Sequence, residues 1–277
     1  MKANRIVLRI VLYLFISFLA LLSLLPFFWM VSTSLKAREA IYAIPIQWIP
    51  KEPSLEAYRA IFHLTNIDFV RGFINSVFVS VLLTLLPLLS SAMAAFAFAK
   101  IEFRGKRVLF STFLLTMMIP GTITMIPNFI TLRLLGLLNT YTALVLPALS
   151  SSMGIFLMRQ HFIKIQDEYL EAAIMDGASL YRLFFTIVLP LAKPVLFTMG
   201  LFNFMGAWNN FLWPLIILTQ RKKWTLQLGL ANLGSNFYNY QHYQMAGALI
   251  SIIPIIIVYL ISQRYVEQGL STGGLKA

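Results

Sequence analysis

The sequence predicts an all-α, polytopic membrane protein with about six transmembrane helices. Three observations carry this expectation. Of 277 residues, 59% are hydrophobic and only 12% are charged, where a soluble domain carries roughly a quarter charged residues. Six stretches contain no Asp, Glu, Lys, Arg or His, and each is long enough to cross about 30 Å of hydrocarbon at about 1.5 Å per residue. Runs this long and continuously apolar satisfy their backbone polar groups in lipid only as helices.

The first span, Ile10–Leu35, follows Lys2, Arg5 and Arg9. It exceeds the about 7–15 apolar residues of a secretory signal and has no small-residue cleavage site, so it reads as a retained helix. The second is Gly72–Ala99, where Ser90, Ser91, Ala92, Ala94, Ala95, Ala97 and Ala99 allow close helix approach. The third, Val108–Leu132, is separated from the fourth, Leu138–Met158, by one charge, Arg133; the apolar run reaches back to Leu134. Gly136 and Asn139-Thr140 place the turn there. Pro194–Gln220 and Tyr243–Gln263 complete the set, and residues 1–277 read as a single transmembrane domain. Pro87, Pro120, Pro127, Pro214 and Pro254 fall where they can kink helices. A large loop spans 160–193, and external loops span 36–71 and 221–242. Thirteen Lys and Arg lie on the side of the termini against nine on the other, which favours cytoplasmic termini.

Composition also excludes. Basic residues outnumber acidic ones 22 to 10, but they lie between apolar runs rather than on one face, so nucleic acid is not expected as a partner. With no cysteine there are no disulfides, thiolate metal sites or Cys nucleophiles, and no metal site is expected. No span holds the ionisable residue on which proton- and ion-coupled carriers usually depend. His63, His161 and His242 fall in loops or at helix ends and carry no assigned role. No nucleophile or metal cluster is placed at depth, so the chain reads as non-catalytic. Gly105-Lys106 lacks the spacing and hydroxyl of a phosphate loop. A passive channel and a sodium carrier built from backbone carbonyls stay open, but uphill transport would draw its energy from a separate chain.

The loop 160–193 is the most informative segment. Asp167 can cap a helix from Glu168, along which Leu170, Ala173, Ile174 and Gly177 recur on one face. Gly177 stands where a left-handed stop is expected. Ser179 can cap a second helix with a stripe of Leu180, Leu183, Phe184 and Ile187, closed by Leu189-Pro190. Such a hairpin either rests on lipid headgroups or docks in a partner's groove. The small residues Ala172, Ala173, Gly177 and Ala178 beside Glu171 and Asp176 favour docking.

Glu171-Ala172-Ala173, Gly177 three residues on, Ile187 after nine more, and Leu189-Pro190 resemble the EAA loop of binding-protein-dependent ABC importer permeases. In that family the segment couples to a nucleotide-binding subunit. The resemblance implies ATPase-coupling roles for Glu171, Ala172, Ala173, Asp176, Gly177, Ile187, Leu189 and Pro190. Trp29–Lys36, Ile119–Pro127, Leu137–Tyr141 and the tail Gln263–Lys276 are similar to carbohydrate-type permeases, the tail to the maltose-transporter-type second permease. Trp208–Pro214 is similar to their fifth helix, although Asn210 replaces a common acidic residue. Within that segment and its surroundings Asn203, Trp208, Asn209, Asn210 and Trp213 are candidate substrate-path residues, since amides and aromatic faces suit sugar hydroxyls and C–H faces. Asn also joins helices by hydrogen bonds, and Trp belongs at membrane interfaces. Thr225–Leu230 resembles the external loop that meets a binding protein, which makes Gln227, Leu228 and Gly229 contact candidates; Gln227 stands where proline is common. The resemblance thus implies the type I importer permease fold and an inner-membrane location. It implies a second permease, two ATPase subunits carrying ATP and magnesium, an extracytoplasmic binding protein, and a sugar or a non-sugar solute as cargo.

Overall fold

The computed structural model describes residues 2–64, 68–234 and 237–274, with side chains for 6–64, 68–233 and 241–267. Residues 65–67 and 235–236 of the external loops, and Leu275 and Lys276 of the tail, lie outside the described residues. The helices are, in chain order, α1 (Lys2–Ser34), α2 (Arg38–Ile41), α3 (Glu56–Ala60), α4 (Phe69–Lys100), α5 (Lys106–Thr116), α6 (Gly121–Leu134) and α7 (Tyr141–Val145). They continue with α8 (Ser152–Phe162), α9 (Asp167–Met175), α10 (Leu180–Leu183), α11 (Leu189–Leu191), α12 (Lys193–Trp208), α13 (Leu212–Ile217), α14 (Leu226–Gly234) and α15 (Phe237–Gly274). Among the described residues there is no strand.

Three segments are each long and apolar enough to cross a membrane: Ile6–Ser34, Phe69–Lys100 and Gln241–Glu267. Three bent pairs bring the number to six if each is one span: α5 with α6 at 100°, Tyr141–Ala148 with α8 at 48°, and Leu180–Leu191 with α12 at 80°. The chain is therefore all-helical with about six spans, but three of them are not the straight helices that apolar length suggests. The first two breaks have local causes. Pro120 caps α6 from an extended conformation, because a proline disfavours helix in the residue before it and has no N–H to donate. Ser151 breaks the fourth span by accepting a hydrogen bond from Gly154 N at 3.0 Å, which starts α8 afresh. The run expected over Pro194–Gln220 stops at Trp208, and α13 begins after Asn209–Phe211. Pro87 and Pro254, by contrast, sit inside continuous helices.

The chain divides into two compact units, Met1–Val70 with Gly229–Ile253, and Arg71–Leu228 with Pro254–Ala277. In the first, Ser34 Oγ shares a hydrogen bond with Tyr58 Oη at 2.8 Å, and Ser32 Oγ donates to the Trp48 carbonyl at 2.6 Å. Trp48 meets Trp29 edge-on at 5.3 Å, and the buried Lys36 amine lies 4.2 Å from the Trp29 ring centre. Burial pushes that ammonium below the usual lysine range. Between Ile6 and Phe28, helix α1 leaves its apolar side chains exposed on all faces.

The second unit has two cores along α4. One gathers Val79, Leu132, Ala143, Leu144, Ile217, Leu218 and Leu228. The other gathers Ala92, Ala95 and Phe96 with Met158, Phe162, Leu170, Leu183, Phe184 and Val188. The small residues of α4 serve the second core as expected. A side chain added at Gly154 would place its Cβ 2.8 Å from Ser91 Oγ and 3.1 Å from Ser151 Oγ. Gly154→Val is expected to cost about 1–3 kcal/mol through overpacking and to lower the thermal midpoint of the purified protein. Gly200→Ala should be neutral or stabilising, by up to about 1 kcal/mol, because its nearest neighbour, Leu88 Cδ2, is 3.9 Å away. A midpoint that falls equally in both variants would contradict this packing.

Candidate functional site

The loop 160–193 is a helical hairpin locked to the end of α4. Lys100, whose side chain is 6% exposed, donates to the Ile165 carbonyl and to Asp167 Oδ1, each at 2.5 Å. Two residues earlier, the Phe98 carbonyl accepts from Arg159 Nε at 3.0 Å, and the Arg159 guanidinium lies 4.2 Å from the Phe110 ring centre. Both contacts fit cations at a helix C-terminus, where unpaired carbonyls carry partial negative charge. The sequence suggested Asp167 as the cap of α9. Instead Gln166 holds that position without a side-chain bond, and Asp167 occupies the first turn with its carboxylate on Lys100.

At its other end α9 stops as expected. Gly177 has φ +80°, Gly177 N donates to the Ile174 carbonyl at 2.9 Å, and Ala178 N donates to the Ala173 carbonyl at 2.9 Å. This pair of bonds is the Schellman arrangement, which a glycine enters without strain. Ser179 Oγ then accepts from Arg182 N at 3.4 Å and starts α10.

Burial sorts the hairpin into two faces. Leu170, Leu183 and Phe184 are buried in the second core, with Ala173, Ala178, Ile187 and Leu189 packed against it. Ile174 and Leu180, which the helical stripes placed on the buried side, are instead exposed. The corner presents Glu171, Ala172 and Asp176 beside Ile174, Met175 (88% exposed), Leu180 and Tyr181 (73% exposed). Past α10 the chain widens into a π-helical turn, Phe184–Val188. The Leu189 amide donates to the Phe184 carbonyl five residues back. Pro190 explains the widening, since its ring would collide with the carbonyl four residues before it and it offers no donor. The extra residue moves the buried position to Val188, which the sequence pattern missed.

The other candidates separate. Trp208 is 1% exposed, stacked on Phe204 with ring centres 5.7 Å apart and edge-on to Phe73 at 5.6 Å. Its aromatic ring is used in internal packing. Trp213 packs against the first core, and its amide donates to Asn210 Oδ1 at 3.4 Å. Asn203 is half-buried and Asn209 exposed. Thr225–Leu230 is no loop beyond its first residue. Ser76 Oγ accepts from Leu226 N at 2.7 Å, and α14 runs on from there. Leu228 belongs to the first core, Gly229 is buried and Gln227 is half-buried. That stretch is held by Asn75, whose Nδ2 donates to the carbonyls of Lys222 at 3.1 Å and Trp224 at 2.9 Å.

Lys100 was passed over by pattern reading, and Asn139 was read only as part of a turn; both are structurally central. Asn139 takes φ +60°, donates its amide to the Ile217 carbonyl at 3.0 Å, and accepts from Gln220 N and, at its carbonyl, from Lys223 Nζ at 2.6 Å. The turn assigned to Asn139-Thr140 is thus also a clamp on the end of α13. A lone basic residue closing an apolar helix was the available signal for Lys100.

A helical membrane chain with a hairpin built on these residues matches one known class. The family described as the binding-protein-dependent transport system inner membrane component covers residues 87–272. The chain is 35% identical over 270 residues to the arabinooligosaccharides transport system permease protein AraQ of Bacillus subtilis, covering 97% of this chain and 96% of that one. It is 33% identical over 258 residues to the trehalose transport system permease protein SugB of Mycobacterium tuberculosis, covering 92% and 93%. A solved bacterial ABC transporter involved in import of the acidic polysaccharide alginate contains a chain with TM-score 0.83 and 30% identity, covering 96% of this chain and 98% of that one. The chain belongs to this family of inner-membrane transport components and is a membrane permease subunit.

Two substitutions test the hairpin. Gly177→Val should destabilise the corner by about 1–2 kcal/mol, the cost of a left-handed conformation for a side-chain-bearing residue, and Gly177→Asn should be tolerated better. Lys100→Met should raise amide hydrogen exchange over Asp167–Met175 without changing exchange in α13. Unchanged exchange would show that Lys100 does not hold the hairpin.

Proposed function

We propose that this chain is one of two unlike permeases of an ABC importer for an oligosaccharide or related sugar, delivered by an extracytoplasmic binding protein. The observation that carries the proposal is the exposed corner around Gly177. It combines carboxylates at Glu171 and Asp176 with large apolar side chains at Ile174, Met175, Leu180 and Tyr181. Carboxylates are repelled by an anionic membrane surface, whereas an apolar corner with charged flanks suits a protein groove. Two ATPase subunits, holding ATP and magnesium, would receive this corner and its counterpart on the second permease. The names of the relatives support a sugar cargo, and the apolar, uncovered face of α1 suits contact with lipid and with the partner permease.

In this mechanism ATP draws the two ATPases together and carries the docked hairpins with them as rigid bodies. The pore opens outward to the loaded binding protein, and hydrolysis restores the inward-facing state. Both termini and the hairpin face the cytoplasm. The hairpin transmits a pull because α9 is fixed at both ends, by Lys100 at its start and by the core under Leu183, Phe184 and Val188 beyond its corner. Asn203, Asn209 and Asn210 are the amides left to line a path, and Gln227 is the part of the α14 start left to meet a binding protein.

Glu171→Ala is expected to cut ATP-dependent uptake by about tenfold, the effect of losing one charge-assisted contact. Membrane abundance should stay constant and ATP hydrolysis should separate from uptake. Normal uptake by this variant would overturn the docking role.

A further inference from the structure

A cleft of about 750 Å³ opens beside the start of α5, on the side of the second unit that carries the hairpin. Its walls include Glu102, Lys106, Arg107, Phe110, Ser111 and Arg159. Lys106 is paired with Glu102 at 2.7 Å, which neutralises the single carboxylate of the lining. Arg107 and Arg159 are left in positive excess, with Arg104 nearby in the chain. The half-buried Arg159 is fixed in place by the Phe98 carbonyl and the Phe110 ring. Among the described residues its terminal amines meet no protein acceptor, and the Arg107 guanidinium has no carboxylate partner. Two such guanidinium groups on one cleft offer the planar donor forks that match a phosphate.

What lies below the cleft is apolar. Helix α5 buries none of its residues, and Val108, Leu109, Leu115 and Met118 leave exposed hydrocarbon along a segment long enough, with α6, to cross a membrane. A cationic mouth above an apolar track fits an amphiphile better than a free anion. The Lys100–Asp167 contact sets this mouth on the same side as the hairpin, where anionic lipids concentrate if that side is cytoplasmic.

We propose that this cleft binds the phosphate of an anionic phospholipid of the phosphatidylglycerol class in the leaflet facing the ATPases. The leaflet rests on the docking reading of the hairpin; the headgroup chemistry does not.

The test uses the permease purified with its partner subunits and titrated with phosphatidylglycerol or phosphatidylcholine of identical chains, bound lipid being counted by native mass spectrometry. Phosphatidylglycerol is expected to bind more tightly. Arg107→Gln should weaken it about five-fold, the effect of one basic residue at a membrane surface. Arg221→Gln, outside the cleft, should leave it unchanged. Equal retention of the two lipids, or equal binding by wild type and Arg107→Gln, would overturn the proposal. Competition by glycerol phosphate at the lipid's own concentration would also overturn it, in favour of a site for free phosphate esters. Co-purification of the ATPase is scored on the same sample. Its absence would count against the docking reading alone, because lipid selectivity is read independently of it.

Discussion

Lys100 closes an apolar helix of 32 residues and places its ammonium where two carbonyl-rich segments meet. The cation answers the negative end of the α4 dipole and reaches across to the first turn of α9, whose Asp167 carboxylate suits the positive end of that helix. Salt bridges at an exposed surface contribute little, but this ammonium is nearly buried and also satisfies the Ile165 carbonyl, so moving the hairpin away would strand a charge. The hairpin packs Leu170, Leu183 and Phe184 onto the same core as the small residues of α4. The polar anchor and the apolar core thus fix one element from two directions.

Six apolar runs of the sequence, each free of Asp, Glu, Lys, Arg and His, place the charged groups at or beyond their ends. Energy delivered to such a chain from outside the bilayer would have to pass through an element rigid enough to carry force. A helix with a glycine stop at one end and a charged anchor at the other meets that requirement. The bends at Pro120, Ser151 and Ala192 allow the remaining helices to be short bodies joined at defined points. Proteins with packed interiors move as such bodies instead of deforming continuously.

The apolar spans, the helical hairpin of 160–193, its Gly177 stop and its Ser179 cap were legible because each follows from local chemistry: hydrophobic length, φ above zero, a hydroxyl facing an unpaired amide. The straightness of the third, fourth and fifth spans was not, because apolar length says nothing about bends and a proline is compatible with either a kink or a continuous helix. Pro87 and Pro120 illustrate the two outcomes. The internal packing of Trp208 and Leu228 was not legible for a related reason. Aromatic and aliphatic side chains suit a ligand or a core equally, and only the positions of Phe73, Phe204 and Val79 decide for the core. Lys100 and Asn139 act over 67 and more than 70 residues of sequence, a separation at which no periodicity speaks.

The wide turn at Phe184–Val188 holds one residue more than α-helical winding requires. In a regular helix each residue advances the azimuth by about 100°. Removing one residue there would let the Leu189 amide return to a partner four residues back, and the segment before it would swing by about that angle relative to α12. Glu171 and Asp176 would then point along a different bearing, although no contact within α12 need change. The heading of the corner relative to α12 is therefore encoded in chain length at the wide turn, and a single-residue deletion would act on it as a switch of azimuth.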